Sequence, residues 1–169
     1  MFSVLGKSLK TGCLTEKLPA PDPTAVQLGE ACRQEIARIF GTSLAIRMVD
    51  AGSCNGCELE MHAVNNGFYD IERFGIHFVA SPRHADLLLV TGPVSRHMQA
   101  ALKRTYEATP APKLVIAMGD CGADGGEFGI SYASCGAVAN VIPVDAVIRG
   151  CPPTPLQLLS GILEVLQRR

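Results

Sequence analysis

Cys54 and Cys57, separated by Asn55 and Gly56, lie in the stretch Asp50-Ala-Gly-Ser-Cys-Asn-Gly-Cys-Glu-Leu-Glu60. Two further cysteines, Cys121 and Cys151, each follow an apolar run and stand among glycines or prolines, in Gly119-Asp-Cys-Gly and Gly150-Cys-Pro-Pro. A thiolate is a soft, charged ligand, so four of them brought to one edge of a sheet suit a metal centre. A close pair with two singletons is the kind of arrangement that binds a cubane iron–sulfur cluster, which takes its thiolates from separate loops. Structural zinc also uses four cysteines, but commonly in two short-spaced pairs, and the second pair is missing here. A redox dithiol built from Cys54 and Cys57 alone is compatible with a Cys-x-x-Cys turn at a helix start, yet it leaves Cys121 and Cys151 without a task. Four merely structural cysteines would not all fall in Gly/Pro loops, three of them directly after strand-like runs.

An alternation of strands and helices positions these sulfurs. Residues 43–50 have the length and β-branched content of a strand ending just before the Cys54/Cys57 turn, and residues 57–66 form a helix stopped near Gly67. Residues 76–80, 86–91, 113–118 and 140–144 read as further strands, with a helix over 95–108 and a final apolar-faced helix from Thr154 onward. Thr24 caps a helix that runs to Phe40 and stops at Gly41. Continuous apolar strands such as 87–90 imply burial on both sides, hence a flavodoxin-like α/β fold with a mainly parallel sheet and helices on both faces. In such sheets ligands bind beyond the carboxyl ends of the strands, which is where the cysteine turns fall. Residues 1–23, with Pro19, Pro21 and Pro23, read as an extended N-terminal arm suited to lie on a partner, and residues 24–169 as one domain.

Composition narrows the functional classes. The chain has 169 residues, 47% of them hydrophobic, enough for one domain with a real core. A net charge of -1 without a dense Lys/Arg run excludes the electrostatic footprint of a nucleic-acid binder. Tryptophan is absent and aromatics make up 5%, so stacking platforms for bases or sugars are not evident. No run approaches the roughly 18 apolar residues of a membrane span, residues 1–17 lack a signal-peptide apolar block, and the only Arg-Arg pair ends the sequence. The expected location is the cytoplasm. Seven irregularly spaced cysteines, without an export signal, argue for metal or redox chemistry over a disulfide framework. Cys13 reads as a lone thiol in the arm and Cys32 as a small buried side chain within a helix.

Three ordered motifs carry a resemblance: Gly52-Ser-Cys54-Asn-Gly-Cys57-Glu58, Gly119-Asp-Cys121-Gly-x-x-Gly-Gly126, and Val144-Asp145 followed by Gly150-Cys151-Pro-Pro-Thr-Pro155. Over residues 43–166 the chain resembles the small subunit of a NiFe hydrogenase, in the version related to the 20 kDa subunit of respiratory complex I. The complex I type has two adjacent cysteines in the first motif, whereas the two-residue gap here is that of hydrogenases. Ending at Arg169, without a cysteine-rich C-terminal extension, the sequence is similar to the short small subunits of energy-converting hydrogenases, the formate hydrogenlyase and carbon monoxide-linked types.

That resemblance implies that Cys54, Cys57, Cys121 and Cys151 ligate one proximal 4Fe-4S cluster, and that the chain, inactive alone, passes electrons between a NiFe site on a hydrogenase large subunit and a ferredoxin-like iron–sulfur subunit. Membrane subunits, with the chain on the cytoplasmic face, are further expected partners. It also makes Glu58 a candidate proton relay, although an acid is equally at home in the first turn of a helix. A quinone-reducing complex I-like assembly and a zinc-stabilised interaction module are the competing functions. Gly52, Gly56, Gly122 and Gly150 would let amides point at the sulfurs or would simply form turns. Cys135 has no ligand role in the family pattern and reads as a spare buried thiol; Asp120 and Asp124 read as surface acids or acceptors for loop amides. His62, His77, His84 and His97 are scattered and read as surface or core residues.

Overall fold

The computed structural model describes residues 2–12, 16 and 20–169. Five strands, β1 (Leu44–Asp50), β2 (Ile76–Phe78), β3 (Leu87–Thr91), β4 (Leu114–Met118) and β5 (Ala146–Ile148), form one all-parallel sheet in the order β2-β1-β3-β4-β5. This is the flavodoxin order, whose switch point lies between β1 and β3. Register aligns the functional edge. Asp50 lies opposite Thr91, Thr91 opposite Met118, and Met118 opposite Ile148, so four strands end on one row and release their loops at the same level.

Both faces of the sheet are covered, as the continuous apolar strands require. Leu44, Ile46, Leu87, Leu89, Ile116 and Met118 pack with Cys32 and Ile36 of α2 (Pro23–Phe40), Met61 of α3 (Gly56–Ala63), and Leu158 and Ile162 of α6 (Pro155–Gln167). Val49, Leu88, Val90, Val115 and Ala117 pack on the other side with Leu102 of α4 (Gln99–Ala108) and with Val138 and Ile142. Successive side chains of each strand alternate between these two cores.

The edge opposite the cysteines is fastened by two aspartates. Asp86 donates its N–H to the Ala45 carbonyl at 2.8 Å, while its Oδ2 accepts the Ala45 N–H at 2.9 Å. Asp145 does the same with Val115, at 2.9 and 2.7 Å. In each pair a carboxylate supplies the acceptor that the next strand residue would otherwise provide.

Several local expectations change. Residues 2–11, read as part of an extended arm, are helical (α1, Phe2–Thr11), with Val4, Leu5 and Leu9 exposed; Cys13 and Pro19 lie outside the described residues. The cap of α2 is Asp22, which accepts the Thr24 N–H at 2.8 Å with Pro23 in the first turn, and Gly41 ends the helix as expected. The last strand is Ala146–Ile148, not residues 140–144. Pro143 has no N–H for a ladder, and the apolar signal there reflects burial of Val138 and Ile142 beneath the sheet. Helix α4 begins at Gln99, Ser95 being held in a bridge with Ser134 with its N–H donated to the Ala51 carbonyl at 2.7 Å. Thr154 caps α6 through a reciprocal pair with Gln157. No helix among the described residues is long and apolar enough to cross a membrane.

Candidate metal centre

Each cysteine loop is built differently. At the end of β1 the Asp50 Oδ1 accepts the N–H groups of Gly52 and Ser53, both at 2.8 Å, and Ser53 Oγ accepts the Asn55 N–H at 3.1 Å. Asn55, left-handed at φ 73°, then launches α3 with Cys57 in its first turn. Strand β4 passes directly into a short helix, α5 (Gly119–Asp124), which holds Cys121 in place of the expected open loop. Strand β5 ends at Ile148, three residues before Cys151.

The four cysteines predicted as ligands line a single cavity of about 80 Å³, together with Ser53, Gly92, Asp120, Gly150 and Pro152. All four are free thiols, Cys54 and Cys151 exposed and Cys57 and Cys121 half-buried. Burial, followed by the charges of Glu58, Cys54, Cys121 and Cys151, pushes the Cys57 thiol up to about 12. Burial and then Cys151, Cys54, Asp120 and Asp124 also raise Cys121. Burial and neighbouring negative charge thus disfavour the thiolate forms of Cys57 and Cys121, a cost that a positive centre in the cavity would offset.

The placement of two of the sulfurs depends on the two glycines that bound the second cysteine motif. A Cβ on Gly119 would stand 2.7 Å from the Cys57 sulfur, and one on Gly126 would stand 2.9 Å from the Cys121 sulfur. Both adopt positive φ, 82° and 51°. Of the glycines expected at the sulfurs, Gly56 would make ordinary contact with Cys54, while Gly122 faces Val90 and Ala117 instead. Among the described residues no three His, Cys, Asp or Glu side chains converge as they would on one ion. Four thiols lining one cavity are a donor set of the kind that thiolate-bound metal groups take.

Glu58 lies in the first turn of α3 and is 4% exposed. The fully buried Thr91 hydroxyl donates to its Oε1, and Thr91 also reaches the Val49 carbonyl at 3.4 Å. Glu58 Oε2 is buried without a hydrogen-bond partner among the described residues. Thr91 carries no sequence signal for this contact, since the partners are 33 residues apart. Cys32 and Cys135 are buried as expected, Cys32 Sγ donating to the Leu159 carbonyl at 3.7 Å. None of the four histidines lines the cysteine cavity; His62 borders a separate one of about 260 Å³ with Arg47, Met61 and Phe78.

A flavodoxin-order sheet whose strand ends gather four cysteines defines an α/β protein with a candidate thiolate site. Residues 54–165 match the protein-family model described as NADH ubiquinone oxidoreductase, 20 Kd subunit, and the chain belongs to that family. It is 43% identical over 134 residues to the probable membrane-bound hydrogenase subunit mbhJ of Pyrococcus furiosus, covering 79% of this chain and 80% of the relative. It is 46% identical over 124 residues to formate hydrogenlyase subunit 7 of Escherichia coli, covering 73% of this chain and 49% of that longer relative. Among solved structures, a chain of the membrane-bound sulfane sulfur reductase, an archaeal respiratory membrane complex, superposes with a TM-score of 0.66 at 36% identity, over 80% of this chain and 74% of that one. The resemblance read from the three cysteine motifs is borne out.

Proposed function

We propose that Cys54, Cys57, Cys121 and Cys151 hold one 4Fe-4S cluster, and that the chain is the electron-transfer small subunit of a membrane-associated NiFe hydrogenase complex. The observation that carries this reading is the convergence of four thiols, released from strands on one row, upon a single glycine-walled cavity. Such a cluster supplies one-electron transfer with little atomic movement. The chain's own work is to hold four sulfurs at fixed separations, to limit water on the Cys57 side, and to leave Cys54 and Cys151 exposed where a partner can approach. The large subunit with the NiFe site, a ferredoxin-like subunit and membrane subunits are the proposed partners, with the chain on the cytoplasmic face; similarity to two hydrogenase subunits, one of them described as membrane-bound, supports the membrane-associated hydrogenase assembly.

Glu58 is the proposed proton-carrying residue. It follows Cys57 directly, it is buried, and one carboxylate oxygen is left unpaired beside one held by Thr91. Glu58→Gln keeps the shape and the Thr91 contact but cannot cycle a proton, so H2 turnover should fall about 100-fold with the cluster's EPR signal intact. Normal turnover removes Glu58 from the path.

A second reading, a nickel-free complex I-like quinone oxidoreductase, is favoured by the family model itself. Purification of the intact complex with iron, sulfide, nickel and zinc analysis separates the alternatives. Iron, sulfide and nickel are expected; a cluster without nickel selects the second reading, and a colourless chain holding one zinc overturns both.

A further inference from the structure

The reciprocal aspartate pairing that fastens the far edge of the sheet recurs once at the cysteine edge. Asp120 donates its N–H to the Gly150 carbonyl at 3.0 Å, and its Oδ1 accepts the Gly150 N–H at 3.1 Å. Each residue of this pair directly precedes a cysteine, Cys121 on α5 and Cys151 beyond β5. Strands β4 and β5 have ended by this level, at Met118 and Ile148, so the ladder no longer sets the distance between the two segments. The Asp120 pair takes over where the ladder stops.

A second tie lies beside it. Arg149 Nη1 donates to Asp124 Oδ2 at 2.5 Å and stands 3.9 Å from Asp120 Oδ1. Asp124, held below the usual carboxylate range by Arg149 and by the Gly126 N–H, turns its Oδ1 toward Gly126 at 3.0 Å, the glycine that walls the Cys121 sulfur. The Cys121 helix is thus gripped by the Cys151 loop at both ends. The Arg149 charge also balances two carboxylates placed next to a site that is itself rich in thiolate.

We propose that Asp120 is a positioning residue: its two hydrogen bonds to Gly150 set the separation of Cys121 and Cys151, with Arg149 and Asp124 as a supporting ion pair, and its charge tunes the potential of the group those cysteines hold. This inference rests on the cluster reading above for its spectroscopic consequence, but the clamp itself belongs to the polypeptide. Asp120→Asn retains an Oδ1 acceptor for the Gly150 N–H and removes the charge; Asp120→Ala removes both. Hydrogen bonds around the metal's own ligands commonly change metal affinity about 10-fold or more.

The test compares these two variants and Arg149→Ala in the purified complex. In Asp120→Ala the cluster should be lost to an iron chelator about 10-fold faster than in the parent, with altered EPR g-values. In Asp120→Asn the chelator rate and line shape should hold and the midpoint potential should move upward, because a negative charge has been removed. Arg149→Ala should move the potential downward with the line shape retained. Hydrogen exchange followed by mass spectrometry on the peptide containing Gly150 reports the clamp without reference to any metal: protection is expected in the parent and in Asp120→Asn, and lost in Asp120→Ala. Equal chelator rates and equal Gly150 protection in all three variants overturn the proposal. Loss of Gly150 protection in Asp120→Ala in a complex that contains no iron or sulfide would sink the cluster reading while leaving the clamp standing.

Discussion

The two halves of the cysteine site are held by carboxylates that work over very different spans of sequence. Asp50 closes the Cys54 turn by accepting N–H groups two and three residues ahead of it. Asp120 closes the other half by reaching Gly150, 30 residues away. The first is a local turn that any chain with this sequence tends to form; the second exists only once β4 and β5 lie side by side. Local closure tolerates damage because water can replace an exposed acceptor. Non-local closure fixes a distance between segments that the strand ladder no longer holds, with only the exposed Arg149–Asp124 ion pair beside it.

The largest effect should come from the sulfurs, and it should ignore this distinction. Cys57→Ser and Cys121→Ser, one from each half, should each abolish cluster content and enzymatic turnover in the complex, as read by iron and sulfide analysis. If one half could be removed with the cluster retained, the four thiols would not form one site. Next comes Gly119→Ala, which joins the halves: its Cβ would intrude to 2.7 Å from the Cys57 sulfur at a φ of 82°. Strain of about 1–3 kcal/mol should appear as a lowered Tm and as reduced cluster content.

Asp50→Ala probes the local half alone. Its turn is exposed, so the loss should be about 1 kcal/mol in thermal unfolding, with EPR line shape and chelator resistance unchanged. A variant of Asp50 that released the cluster faster than Asp120→Ala would reverse the comparison between local and non-local closure. At neutral pH the smallest effect belongs to a thiol outside the site. Burial pushes Cys32 from its ordinary 9.0 up to about 12. Below pH 9 both folded and unfolded chains keep this proton; above it the unfolded chain releases it first, so stability falls as pH rises from 9 toward 12. Unfolding of the parent and of Cys32→Ala across that range should show the extra pH slope in the parent only.

Much of the architecture was readable because it is written in local patterns. Continuous apolar runs at 87–90 and 114–118 signal strands buried on both faces, and alternation with helices signals a parallel sheet. The errors fell where tertiary packing overrules local preference. Residues 140–144 look like a strand because Ile142 is buried, yet they lie beneath the sheet, outside its ladder. Residues 2–11 look like an arm because Gly6 and Gly12 punctuate them, yet they are helical.

The amino-acid sequence by itself determined which residues make up the candidate site and their place in the fold: four thiols, each released near the carboxyl end of a strand, and an acid directly after the second of them. Residue type and short spacing suffice for that, since thiol chemistry and turn preference are local properties. Only the tertiary structure decided that the four thiols share one cavity, that Gly119 and Gly126 leave room for two of their sulfurs, that Thr91 holds Glu58, and that Asp120 spans to Gly150. Each of these is a contact between segments far apart in the chain, and its existence depends on the register that places Asp50, Thr91, Met118 and Ile148 on one row.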